Sequence, residues 1–221
     1  MDNKILIGCV NRGGLSGSPY EMYDPITAYN IQDIMTIGLD GAKFMLRLDL
    51  KTKMAKYSQE TLKICAEIVR QCNKVALPIF IEPLSVFRDK NGVYKVNNDV
   101  QEILKVVGIA TALGGSSANI WLKLPYTSDY ERVSLSTSNP ILMLGGEVVG
   151  NPTNILKQFH EGMLSGSNIR GCLVGRNILF PGYDDPLAVA LAICEIIHKK
   201  KSVSEALSIL KSNRGVELDY L

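Results

Sequence analysis

The chain has 221 residues, 46% of them hydrophobic and 21% charged, with a formal net charge of +2; this is ordinary globular composition with room for a full-sized core. Its one basic run, His198-Lys199-Lys200-Lys201, reads as a solvated helix end, so nucleic acid is not an expected partner. The longest apolar stretches, such as Ile5 to Val10, are too short to span a bilayer and lack a leader cleavage pattern, so the expectation is a cytoplasmic protein with no membrane partner.

Taken in chain order, short apolar runs rich in branched residues alternate with helical patterns. KILIGCV opens the chain and is followed by a polar, glycine-rich loop from Asn11 to Pro25 that suits a substrate-facing lid. Asp24-Pro25 reads as a helix cap before a first-turn proline. The strand AKFMLRL follows, then a helix opened by Ser58 with Thr61 and Leu62, the strand LPIFIE, and a helix opened by Asn98-Asp99. NIWLKLP and ILMLG are the next strands, and Asn151-Pro152 caps the helix after them. GCLVG is the last strand, Asp185-Pro186 repeats the aspartate–proline cap, and Ser202 with Glu205 has capping-box spacing.

This rhythm implies a single α/β domain with a parallel sheet, either an open doubly wound sheet or a barrel. The strand faces favour the barrel, because an open sheet covered by helices on both sides is apolar on both. In AKFMLRLDL, Ala42, Phe44, Leu46 and Leu48 share one face, while Lys43, Met45, Arg47 and Asp49 share the other. Ile120, Leu122 and Leu124 likewise oppose Asn119, Trp121 and Lys123, and Glu82 closes its strand on the face of Phe80. The fold expected is a TIM (β/α)₈ barrel, incomplete here, with about six strand–helix units and the first two absent; polar strand ends are where such a barrel places its chemistry.

Lys123, between Trp121-Leu122 and Leu124-Pro125, is a candidate imine-forming nucleophile. An apolar wall disfavours its ammonium form, and a nearby cation such as Lys43 or Arg47 would do so further. The plain alternative is a lysine that reaches water or pairs with a carboxylate. Glu82, expected on the strand between those of Lys43 and Lys123, could shuttle protons or simply form a salt bridge with them. Gly145 and Gly146 in MLGGE, with Gly175 and Arg176 in LVGRN, follow consecutive strands and suit phosphate binding. Asn11 and Arg12, where the first loop begins, and Arg47 on the inward face of its strand join them as candidate substrate-binding residues.

No metal or organic cofactor is expected. The two histidines, His160 and His198, sit inside helical patterns without a second ligand at metal spacing. The Gly13-Gly14 pair lacks the dinucleotide fingerprint. Cys9, Cys65, Cys72, Cys172 and Cys194 read as buried reduced thiols.

The series GLDGAKFMLRLD, FIEPL, WLKLPY, PILMLGGE and LVGRN resembles the class I, Schiff-base aldolases of the deoxyribose-phosphate and tagatose-bisphosphate type. NRGGLSG, the Lys43 segment and WLKLP are closer still to an aldolase-like (β/α)₈ group associated with inositol catabolism. The resemblance implies that Lys123 forms the imine, that Glu82 is the acid–base residue, that Lys43 lines the site, and that Gly145, Gly146, Gly175 and Arg176 hold a substrate phosphate. It also implies relatives longer at the amino end by about two units, from the usual ~250 residues of a barrel, whose first strand supplies an aspartate that nothing here replaces. Exposed sheet edges would then favour a homo-oligomer. Two other readings use the same residues: a non-catalytic phosphosugar-binding or assembly barrel, and a Schiff-base isomerase or dehydratase.

Overall fold

A computed structural model describes residues 4–12, 22, 24–52, 55–146 and 150–215. They fall into two compact units, Met1–Pro140 and Ile141–Leu221. The tip of the first loop, residues 13–21 and 23, lies outside the described residues, so the lid expectation is not addressed there.

The first unit is a parallel sheet of β1 (Ile7–Cys9), β2 (Gly41–Leu48), β3 (Ile79–Arg88) and β5 (Ile120–Leu124), paired in that order. A short β4 (Tyr94–Val96) folds back antiparallel on the end of β3. Helices α1 (Ile31–Ile37), α2 (Ala55–Lys74), α3 (Val100–Thr111) and α4 (Tyr130–Leu135) connect them. The alternation read from the sequence decides what these helices cover. Ala42, Phe44, Leu46 and Leu48 of β2, with Ile120, Leu122 and Leu124 of β5, are fully buried, each large aliphatic or aromatic side chain worth roughly 1.5–3 kcal/mol of transfer free energy. Helix α2 answers with a helical stripe of Cys65, Ile68, Val69 and Cys72. Burial pushes the Cys72 thiol up to about 12 and Cys65 higher still, so both are inert core residues. The cysteine expectation fails at Cys194, which is exposed, while Cys9 and Cys172 are half-buried.

The second unit pairs β6 (Ile141–Leu144) and β7 (Ile169–Leu173) in parallel, with α5 (Pro152–Leu164), α6 (Arg176–Leu179), α7 (Pro186–Lys199) and α8 (Val203–Ser212). Helix α5 buries Ile155, Leu156 and Phe159 and brings Gly162 so close to β6 that a Cβ there would meet the Met143 sulfur. Asn151, Asp185 and the Ser202–Glu205 box cap their helices as read from the sequence, and Asp99 rather than Asn98 caps α3.

Three local expectations are overturned. Asp24-Pro25 caps nothing: α1 starts at Ile31 behind Asn30, whose side chain accepts from Asp33 N–H, because the Asp24 carboxylate is taken by two arginines. Ser58 lies inside α2, where its Oγ accepts from the Asp49 N–H instead of opening the helix. Asp49, placed on the face of Lys43 by alternation, falls just past β2 and accepts from the N–H groups of Lys51 and Thr52 and the hydroxyl of Tyr94.

Tyr130, at the first turn of α4, is 1% exposed and its hydroxyl has no hydrogen-bond partner among the described residues. Burial alone raises its pKa. A buried hydroxyl without a partner costs about 1–3 kcal/mol, so Tyr130→Phe is expected to melt at or above the wild-type temperature. A loss of more than about 1 kcal/mol would reveal a partner for that oxygen.

Candidate active site

Three charged side chains converge on one face of the first unit. Lys43 of β2 and Glu82 of β3 sit on neighbouring strands, with Met45 the registered partner of Glu82. Lys123 of β5 lies one residue past the last paired step, Ile81 with Leu122, and so comes beside Glu82. Lys43 Nζ stands 2.7 Å from Glu82 Oε2 and Lys123 Nζ 3.2 Å from Oε1. The two lysine side chains keep 17% and 19% exposure, and that of Glu82 keeps 8%. Below them, Phe80 and Trp121 pack with ring centroids 5.5 Å apart, an apolar floor on the same face. Glu82 does not end its strand, since β3 runs on to Arg88.

Burial alone would raise the Glu82 pKa, but the charges of Lys43 and Lys123 and their hydrogen bonds outweigh it, and the carboxyl lies below its ordinary value of 4.5. Apart from its ion contact with Lys43, Oε2 has no hydrogen-bond partner among the described residues. Lys123 therefore stands within ion-pair distance of a carboxylate, the salt bridge that the sequence reading held open for Glu82. The trio carries two cations and one anion, so loss of one proton leaves it neutral.

Because the folded-state pKa of Glu82 is depressed, its stabilisation is complete above the unfolded value and is lost as pH falls through the folded one. The stability gap between wild type and Glu82→Gln is thus expected to be constant near neutrality and to close as pH drops below 4.5. Urea melts across that range measure it, and a gap unchanged on acidification would contradict the ion-paired assignment.

A second ionic cluster lies further along β2. Asp24 is fully buried between Arg47, which donates from Nε to Oδ2 (2.9 Å) and from Nη2 to Oδ1 (2.7 Å), and Arg12, whose Nη1 donates to Oδ1 (3.1 Å). Arg12 has φ +70°, a left-handed conformation costing a non-glycine residue roughly 1–2 kcal/mol. Asn11 is fully buried and stitches the loop to β2: its Nδ2 donates to Met45 O (2.7 Å) and its Oδ1 accepts from Met45 N–H (2.9 Å). Asn11 therefore holds backbone. Asp24, which the sequence reading assigned to a helix cap, is the carboxylate that organises both arginines.

In the second unit the three candidate glycines separate. A Cβ on Gly145 would fall 2.5 Å from Val174 Cγ2, so this glycine is required by packing. Gly146 has φ +66° with Leu144 Cδ1 3.9 Å from the position its Cβ would take, and among the described residues nothing lies within 4 Å of that position at Gly175. Arg176 Nη2 donates to Gly146 O at 3.3 Å. Gly145→Ala is expected to cost about 1–3 kcal/mol through overpacking, whereas Gly175→Ala is expected to be neutral or to stabilise by up to about 1 kcal/mol. Thermal melts of the two variants decide this, and equal stabilities would contradict it.

Among the described residues no group of three histidine, cysteine or acidic side chains could hold a metal ion, and no helix is long and apolar enough to cross a membrane.

Residues 1–194 match the Cgl0159-like family. The crystal structure of Cgl0159 from Corynebacterium glutamicum superposes with a TM-score of 0.81 at 33% identity, covering 90% of this chain and 65% of that one. The chain thus spans under two thirds of that protein. An uncharacterized aldolase of Saccharolobus solfataricus is 27% identical over 218 residues, 94% of this chain and 74% of that protein. An archaeal fructose-1,6-bisphosphate aldolase, solved with its catalytic lysine covalently bound to the carbinolamine intermediate, has a TM-score of 0.64 at 20% identity, covering 86% of this chain and 69% of that one. At that identity the likeness concerns the fold, which is the α/β fold of the TIM-barrel-like aldolases.

Proposed function

The chain belongs to the Cgl0159-like family, and from that premise we propose that it is a metal-independent class I aldolase cleaving a phosphorylated ketose or keto-sugar acid through an imine on Lys123. The observation that carries this reading is the shared carboxylate: Glu82 lies within ion-pair distance of both Lys43 and Lys123 above an aromatic floor. An amine can attack a ketone only after losing its proton, and a site holding one cation in excess can shed one without stranding a buried charge. Lys123 Nζ then adds to the substrate carbonyl, the carbinolamine oxygen leaves as water, and the iminium draws electrons from the adjacent carbon–carbon bond. Glu82 accepts the proton of the hydroxyl that becomes the aldehyde. The resulting enamine is protonated at carbon, and water releases the ketone and restores the lysine. Lys43 stays charged and keeps Glu82 ionised between steps.

The ionic clusters of the first unit bring Lys43, Lys123, Arg12 and Arg47 together with Glu82 and Asp24, and cationic side chains of this kind suit an anionic substrate. In the second unit, Gly146 after β6 and Gly175 and Arg176 after β7 suit a phosphate, with the Arg176 guanidinium 3.3 Å from the Gly146 carbonyl. Substrates to test are fructose or tagatose bisphosphate and a phosphorylated deoxy-keto-gluconate of inositol breakdown. Borohydride added during incubation with each should inactivate the protein and add the mass of one reduced adduct, and EDTA should leave turnover unchanged. No adduct with any ketose phosphate, or loss of turnover in EDTA, contradicts the proposal.

A further inference from the structure

The contact between the turns after β6 and β7 has a part of its own. Asn177 is 8% exposed, and its Nδ2 donates to the Gly145 carbonyl across 2.6 Å, short for an amide hydrogen bond. The space a Gly145 side chain would need is filled by Val174 and by Asn177 itself, whose Nδ2 lies 3.1 Å from the ideal Cβ position. The β6 turn therefore lies flush against the residues that open the β7 turn, and the amide fixes one peptide group in direction. A trans peptide is planar, with its C=O and N–H pointing opposite ways. Pinning the Gly145 carbonyl to Asn177 therefore sends the Gly146 N–H away from Asn177, at a residue whose φ of +66° glycine adopts without strain.

We infer that Asn177 is a positioning residue for anion binding in this unit, fixing the direction of the Gly146 N–H through the Gly145 carbonyl without itself touching the ligand. The inference rests on the proposal that these turns hold a phosphate. It explains why a buried amide stands one residue past the exposed Arg176, where a ligand contact would call for an accessible side chain.

The test titrates inorganic phosphate against the full chain, reading the rise in melting temperature and the Gly146 amide resonance. Asn177→Leu keeps the side chain's size without a donor, and Asn177→Asp sets an acceptor against the carbonyl. Both are expected to lose phosphate affinity by tenfold or more, while Ile193→Val, a core change in α7 of the same unit, lowers stability and keeps wild-type affinity. Should Asn177→Leu fail to fold, Asn177→Ser, too short to reach the carbonyl, gives the same reading. Wild-type affinity in the Asn177 variants overturns the inference and leaves the phosphate assignment standing. A wild-type chain that does not respond to phosphate overturns both.

Discussion

Lys123→Met is expected to lower turnover by roughly 10⁴-fold or more, the scale on which deleting a covalent nucleophile acts, and to leave the chain folded. The second half follows from the charge count. Methionine matches the length of the lysine stem, and Lys43, 2.7 Å from Oε2, still balances Glu82, so no buried carboxylate is stranded. Lys43→Met likewise leaves the 3.2 Å pair between Lys123 and Oε1, so that variant should retain an imine-forming amine and lose less. The double variant is different: Glu82 is then buried without a cation, which costs on the order of 3–5 kcal/mol. A purely structural salt-bridge cluster would show the same stabilities but no separation in turnover between the two single variants. Turnover measured alongside urea melts distinguishes the cases, and an active Lys123→Met variant ends the covalent mechanism.

The largest effect on stability is expected at Asp24. Its carboxylate, fully buried, accepts three hydrogen bonds from Arg47 and Arg12. Asp24→Asn leaves two guanidinium groups facing a neutral amide, and removing one partner of a buried ionic cluster costs about 3–5 kcal/mol. The same variant should regain part of that loss in phosphate or sulfate, because an anion can stand in for the carboxylate. Equilibrium unfolding with and without added sulfate measures both, and a variant within about 1 kcal/mol of wild type would show that Asp24 does not hold the arginines.

Period-two alternation made the faces of β2 and β5 legible because a strand offers a side chain only two directions: the apolar set Phe44, Leu46, Leu48, Ile120, Leu122 and Leu124 is fully buried. The convergence of Lys43, Glu82 and Lys123 followed from the same alternation plus strand order. Glu82 read as the last residue of its strand, and the proline that follows it cannot donate to a ladder. The strand nonetheless continues, since the pairing with β5 stops at Ile81 and only β2 and β4 accompany β3 beyond it. Asp24-Pro25 carried a sound local cap signature that lost to arginines 12 and 23 residues away in sequence, and no local pattern encodes that competition. Asn177 was open to notice as the polar residue after Arg176, but its burial against Gly145 depends on how two strand ends pack, which spacing does not report.

In the proposed reaction one particular amine, that of Lys123, attacks the substrate. Reducing the reaction with borohydride in the presence of fructose 1,6-bisphosphate, followed by peptide mass spectrometry, locates the modified residue directly. The added mass is expected on the peptide carrying Lys123 and none on the peptide carrying Lys43. An adduct on Lys43, or unmodified peptides from a chain that is turning over, would contradict it.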